Sequence, residues 1–155
     1  MATVTKIDWA TYALETLQAA GFRRGGARTA VVNALADQDC AVSAFELEEY
    51  LGRRGADVGR ASIYRALEQL ADLGLLKRVE VCRGTTSYER VDPDGGHHHH
   101  AICGDCGKLV PFEDNSLERA IGRVASRIGF DITEHDVLLR GHCGHCGRRA
   151  PSAGS

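Results

Sequence analysis

The sequence predicts an α+β chain in which a winged helix-turn-helix precedes a small α/β domain built around four paired cysteines. Three observations carry this. Apolar spacings of three and four run through the first 73 residues and give way to alternation after Gly74. Asp92-Pro93-Asp94-Gly95-Gly96 has the composition of a linker. All seven histidines and four of the six cysteines lie beyond it. Domains are therefore expected at 1–91 and 97–149, with 92–96 as a hinge linker and 150–155 as a flexible tail.

Ile7, Ala10, Ala13, Leu14 and Leu17 mark one face of a first helix that stops at Gly21. Ala30, Val31, Ala34 and Leu35 mark a second, after the basic segment Arg23 to Arg28. Ser43-Ala44-Phe45-Glu46 is a capping box that opens a third helix through Leu47, Tyr50 and Leu51. Beyond the turn at 53–59, Arg60 to Leu73 forms a fourth helix with Ile63, Leu67, Leu70 and Leu73 on one side. Leu75–Val81 and Ser87–Val91 then read as a hairpin around a glycine-containing turn. Helices followed by a hairpin give the winged helix-turn-helix order. Past the linker, a strand is expected at Lys108–Phe112. A helix opening at Asn115 should bury Leu117, Ile121, Val124 and Ile128, and a last strand is expected over Asp131–Arg140.

Composition excludes several classes. The 155 residues carry 19 basic and 21 acidic side chains, with 43% hydrophobic content, which suits a chain with a packed core rather than a disordered one. No stretch approaches the roughly 18 apolar residues of a membrane span, and the N-terminus lacks the pattern of a signal peptide, so a cytoplasmic protein without a membrane partner is expected. Up to residue 90 there are 12 basic and 12 acidic residues. Any binding to nucleic acid must use a local basic face.

The chemistry is concentrated in the last third. Cys103-Gly104-Asp105-Cys106 and Cys143-Gly144-His145-Cys146 each place two thiols on a tight turn. Four such sulfurs around zinc make a closed tetrahedron without room for water or substrate, so the role implied is structural. Redox pairs or disulfides are the alternative, and a reducing compartment with no thioredoxin-like context argues against them. In an extended His97-His98-His99-His100, alternate rings face opposite sides, so one run can serve two metal sites. A purification tag or an opportunistic chelator is the bland explanation, but tags are normally longer and terminal. Glu89, Glu118 and His135 are further donors.

Taken together, His97 to Lys108 (H-H-H-H-A-I-C-G-D-C-G-K), His135 with Cys143 and Cys146, and Ala61 to Leu67 (A-S-I-Y-R-A-L) resemble the ferric uptake regulator family of metal-sensing repressors from about Ala10 to Cys146. The resemblance implies a homodimer that binds double-stranded operator DNA when a regulatory metal is present, and a C-terminal domain that dimerizes. It implies structural zinc at Cys103, Cys106, Cys143 and Cys146. A regulatory site is implied at Glu89, His98 and His100, and a second site at His97, His99, Glu118 and His135. Three positions depart from the family pattern. Ala41 stands where iron-type members have histidine, with Cys40 one residue earlier. Val91 replaces a cysteine of zinc-type members, and Pro111 replaces the aspartate of peroxide sensors. Iron and zinc both remain open as the regulatory metal, with manganese and nickel possible, and the fourth ligand is open among Cys82, Cys40, Glu80, Asp92 and water.

For DNA, Arg60 to Leu73 is the candidate recognition helix. Arg60, Ser62, Tyr64 and Arg65 at its start suit a major groove and its phosphates, and the resemblance implies that Tyr64 and Arg65 make contact. Arg23, Arg24 and Arg28 are expected at phosphates; a merely solvated face is the alternative. Function is thus expected to be metal-responsive repression of metal-uptake and homeostasis genes rather than catalysis. A metallohydrolase using the histidine cluster lacks any HExxH signature, and a zinc-stapled dimerization module leaves the helix-turn-helix half unexplained.

Overall fold

The computed structural model describes residues 8–81, 84–93, 96 and 98–147. The expected ligands Cys82 and His97, the start of the first helix at Ile7 and the tail at 150–155 lie outside the described residues. The chain divides into two compact units between Gly96 and His97.

The first unit runs α1 (Trp9–Ala19), α2 (Gly26–Ala36), β1 (Val42–Ser43), α3 (Ala44–Arg53), α4 (Arg60–Asp72), β2 (Leu76–Val81) and β3 (Thr85–Arg90). Local chemistry sets several of these ends. The Asp8 carboxylate accepts the Thr11 N–H at 3.1 Å and so caps α1. The capping box at α3 is formed: Ser43 Oγ accepts the Glu46 N–H at 3.2 Å while the Glu46 carboxylate accepts the Ser43 N–H at 2.8 Å. After α4 the chain reverses at Gly74, whose φ of 72° favours a residue without a Cβ. The apolar faces meet in one core that includes Leu17, Val31, Leu35, Leu47, Ile63, Leu67 and Leu70, closed by Leu75, Leu76 and Tyr88 of the wing. Truncating one of these leucines to alanine costs about 2–5 kcal/mol.

The wing has a strand that the sequence pattern does not announce. β1 joins the hairpin to give the antiparallel order β1-β3-β2, with Val42 opposite Tyr88 and Arg78 also opposite Tyr88. Two residues are too short for a period to be legible. The Trp9 indole donates to the Val91 carbonyl at 3.2 Å, fastening α1 to the end of the wing.

The second unit contains β4 (His99–Cys103), β5 (Leu109–Phe112), α5 (Asn115–Ile128), β6 (Leu138–Gly141) and α6 (Gly144–Gly147). Its sheet order is β5-β4-β6, with β4 antiparallel to β5 and parallel to β6. Pro111 sits on β5, an edge strand, where a missing N–H is tolerated. Asp114 caps α5 through the N–H groups of Ser116 and Leu117, and Gly129 ends it at φ 69°. Two expectations need correction. The last strand begins only at Leu138, so His135 lies on the irregular approach to it. The apolar stripe of α5 is not buried either: Leu117 and Ile121 are half-buried, Val124 is 41% exposed and Ile128 56%. One short helix and three short strands supply too little surface to cover it.

Candidate metal centres

Strand β4 runs directly into the first cysteine turn. Gly107, at φ 72°, lets the chain fold back so that its N–H donates to the Cys103 carbonyl at 2.9 Å, while the Cys103 N–H donates to Lys108 at 2.9 Å. In the second turn the Gly147 N–H donates to the Cys143 carbonyl at 2.8 Å. The Gly104 N–H donates to Gly141 at 2.8 Å and joins the two turns. Farther out, Asp105 Oδ2 and His142 Nδ1 meet at 2.7 Å.

All four sulfurs lie within 4.8 Å of one another, and those of Cys106 and Cys143 are 3.8 Å apart. A tetrahedron with zinc–sulfur bonds of about 2.3 Å has edges of about 3.8 Å. A disulfide would need about 2.05 Å, and all five described cysteines are free thiols. The amides of Cys106 and Cys143 donate to the Cys103 sulfur and hold its thiol down at about 6. The neighbouring sulfurs of Cys143 and Cys106 push Cys146 up to about 12. Four thiolates at this spacing repel one another until a cation sits among them, so the donor set fits a closed divalent site.

The histidine run alternates as an extended strand must. His99, 2% exposed, places Nε2 at 2.7 Å from Glu118 Oε1, and His135 Nε2 lies 3.0 Å from the other carboxylate oxygen. One carboxylate thus gathers two imidazoles, with all three donor atoms within 4.8 Å. Glu118 stands in the first turn of α5, where the helix terminus favours its charge. The rings of His98 and His100 have their centroids 5.1 Å apart.

The regulatory trio from the sequence divides between the units: Glu89 belongs to the first, His98 and His100 to the second. Glu89 lies on β3 and is 8% exposed. Among the open candidates for a fourth ligand, Glu80 and Asp92 are exposed. Cys40 is half-buried, and its sulfur lies within 4.8 Å of a Glu89 carboxylate oxygen.

The fourth helix separates its faces cleanly. Ile63, Ala66, Leu67 and Leu70 are buried, while Tyr64, 48% exposed, and Arg65 point outward with Arg60. Arg65 donates to Ser62 Oγ at 3.2 Å, and Arg60 pairs with Glu48 at 2.9 Å. Arg65 and Ser62 line a cleft of about 320 Å³ with Gly25, Arg28 and Gln69. Arg23 and Arg24 are exposed, but Arg28 lies inside α2, donates to Gln69 at 3.0 Å and stacks over Phe22. Its first task is to brace α2 against α4.

Residues 19–140 match the family described as the ferric uptake regulator family. The ferric uptake regulation protein of Shigella flexneri is 36% identical over 128 residues, covering 82% of this chain and 85% of that protein. The crystal structure of the Vibrio cholerae ferric uptake regulator aligns with a TM-score of 0.75 at 30% identity, over 83% of this chain and 98% of that one. The ferric uptake regulator from Pseudomonas aeruginosa, solved with manganese, gives 0.70 at 26% identity, over 85% and 98%. A winged helix-turn-helix, a sheet that ends in a four-cysteine cluster and these matches agree, and the chain belongs to the ferric uptake regulator family.

Proposed function

We propose that the chain is a metal-dependent repressor that binds operator DNA as a homodimer and controls genes of metal uptake and homeostasis. Strand β4 carries this reading. It presents His99 to Glu118 and His135, carries His100 with His98 just before it, and ends in Cys103 of the thiol cluster. Metal held along one strand at several positions suits a sensor better than an open catalytic site, so we assign no enzymatic activity. Among the described residues no helix is long and apolar enough to cross a membrane, which is compatible with the proposed cytoplasmic location.

In this proposal Cys103, Cys106, Cys143 and Cys146 hold structural zinc, which exchanges thiol protons for one ion and staples the end of the domain. Glu89, His98 and His100 hold the regulatory Fe(II) or Zn(II), with manganese and nickel as weaker candidates. His97, His99, Glu118 and His135 form the second metal site. An ion that takes one ligand from the wing strand and two from the other domain converts metal supply into the placement of the DNA-binding head. Tyr64 and Arg65 read the groove, with Arg60, Ser62, Arg23 and Arg24 on the flanks and Arg28 as support. A second copy covers the apolar stripe that Val124 and Ile128 expose on α5.

The test is a mobility-shift titration on an AT-rich inverted repeat. Added Fe(II) or Zn(II) should produce binding that mild chelation reverses, and His98→Ala/His100→Ala should abolish the response. Equal binding by wild type and double variant without metal would overturn the switch.

A further inference from the structure

The first unit places a thiol beside the buried carboxylate to which the regulatory role is given. β1 and β3 pair antiparallel with Val42 opposite Tyr88 and Ser43 opposite Ser87. Continuing that register brings the residues just before β1 alongside Glu89. Arg90 donates to the Gln38 carbonyl at 2.9 Å and holds the segment there. Ala41 offers no donor atom. Cys40 does, and its sulfur lies within 4.8 Å of a Glu89 oxygen.

One zinc ion holds sulfur at about 2.3 Å and carboxylate oxygen at about 2.0–2.2 Å. A pair within 4.8 Å therefore meets one ion after no more than a rotamer adjustment. We propose that Cys40 is a ligand of the ion held by Glu89, and that its sulfur biases this position towards zinc over Fe(II) and Mn(II). The proposal rests on the reading that Glu89, His98 and His100 hold the regulatory metal. The physical reason is softness. Two imidazoles and a carboxylate suit several divalent ions alike, whereas a thiolate adds a bond that zinc gains from more than manganese or iron does. On binding, the Cys40 thiol gives up its proton to solvent and the sulfur lone pair forms the metal bond.

The experiment uses the full chain with zinc already in the four-cysteine cluster, to which Co(II) is added as a spectroscopic probe. Wild type should gain a near-ultraviolet sulfur-to-cobalt charge-transfer band that Cys40→Ser lacks. Cys40→His should bind Co(II) without that band. Competition should show zinc affinity at this position lowered on the order of tenfold or more in Cys40→Ser, with a smaller change for Mn(II). If His98→Ala/His100→Ala binds one Co(II) ion fewer than wild type but wild type and Cys40→Ser give the same spectrum and the same zinc affinity, Cys40 is not a ligand and the regulatory site stands without it. If His98→Ala/His100→Ala and Glu89→Gln alike bind as many Co(II) ions as wild type, the regulatory site itself is wrongly placed and the proposal falls with it.

Discussion

The Tyr88 hydroxyl donates to the Glu68 carboxylate at 3.0 Å, a bond from the middle of the wing to α4. Arg78, opposite Tyr88 in the ladder, reaches the other oxygen of the same carboxylate at 2.6 Å. Arg78 and then Tyr88 hold the Glu68 carboxyl below its ordinary range. Because Tyr88 is buried, Tyr88→Phe should lower stability by about 1 kcal/mol in denaturant melts of the full chain. Glu68 has the lower value in the folded state, so its contribution is present above the carboxylate's unfolded value and is lost as pH falls through the folded one. The gap between variant and wild type should accordingly narrow in acid.

Tyr64→Ala and Arg65→Ala remove exposed side chains from α4 and should leave circular dichroism and melting nearly unchanged. Each should weaken operator binding by about 1–3 kcal/mol, on the order of 5- to 150-fold. Arg24→Ala should instead weaken all sequences alike and flatten the salt dependence by about one unit of slope. Mobility shifts at several ionic strengths separate the two behaviours.

Cys106→Ser takes one sulfur from a site whose edge already matches a zinc tetrahedron. The variant purified from defined medium should contain far less zinc than wild type. Its second domain should also melt earlier, since the binding free energy of a structural ion is folding free energy. Elemental analysis and calorimetry check both statements.

An aspartate in the exposed stripe of α5 tests its partner. Val124→Asp or Ile128→Asp replaces a side chain that is 41% or 56% exposed in one chain, so the isolated domain should tolerate it. Sedimentation should nevertheless show a monomer where wild type sediments as a dimer. An unaltered dimer would place the subunit contact elsewhere.

Much of this molecule is legible from residue order because local rules and the final packing agree. The capping box at Ser43 and Glu46, the glycine after α4 and the two cysteine turns are formed within a few residues of sequence. The alternation of His98, His99 and His100 follows from strand geometry alone. What escaped notice depends on distant pairings. β1 exists because β3 lies beside it, and without β1 the residue pattern offers Cys40 only as one of several candidate ligands and does not set it next to Glu89. The pairs Tyr88–Glu68 and His142–Asp105 likewise join residues that share no motif. The stripe on α5 carries the periodicity of a buried helix, but periodicity does not say whether the same chain or another one does the burying.

His99 and His100 are successive residues, with Cα atoms about 3.8 Å apart, yet they are given to different ions. An ion that fixes one ring also fixes the peptide from which the next ring projects. If both proposed sites are metal sites, filling of one should therefore be coupled to filling of the other. By linkage, whatever factor one occupancy applies to the affinity of the other is returned in full in the opposite direction. Calorimetric titrations begun from either partially loaded form should close the same thermodynamic cycle, and the coupling free energy they yield is a property of a single strand.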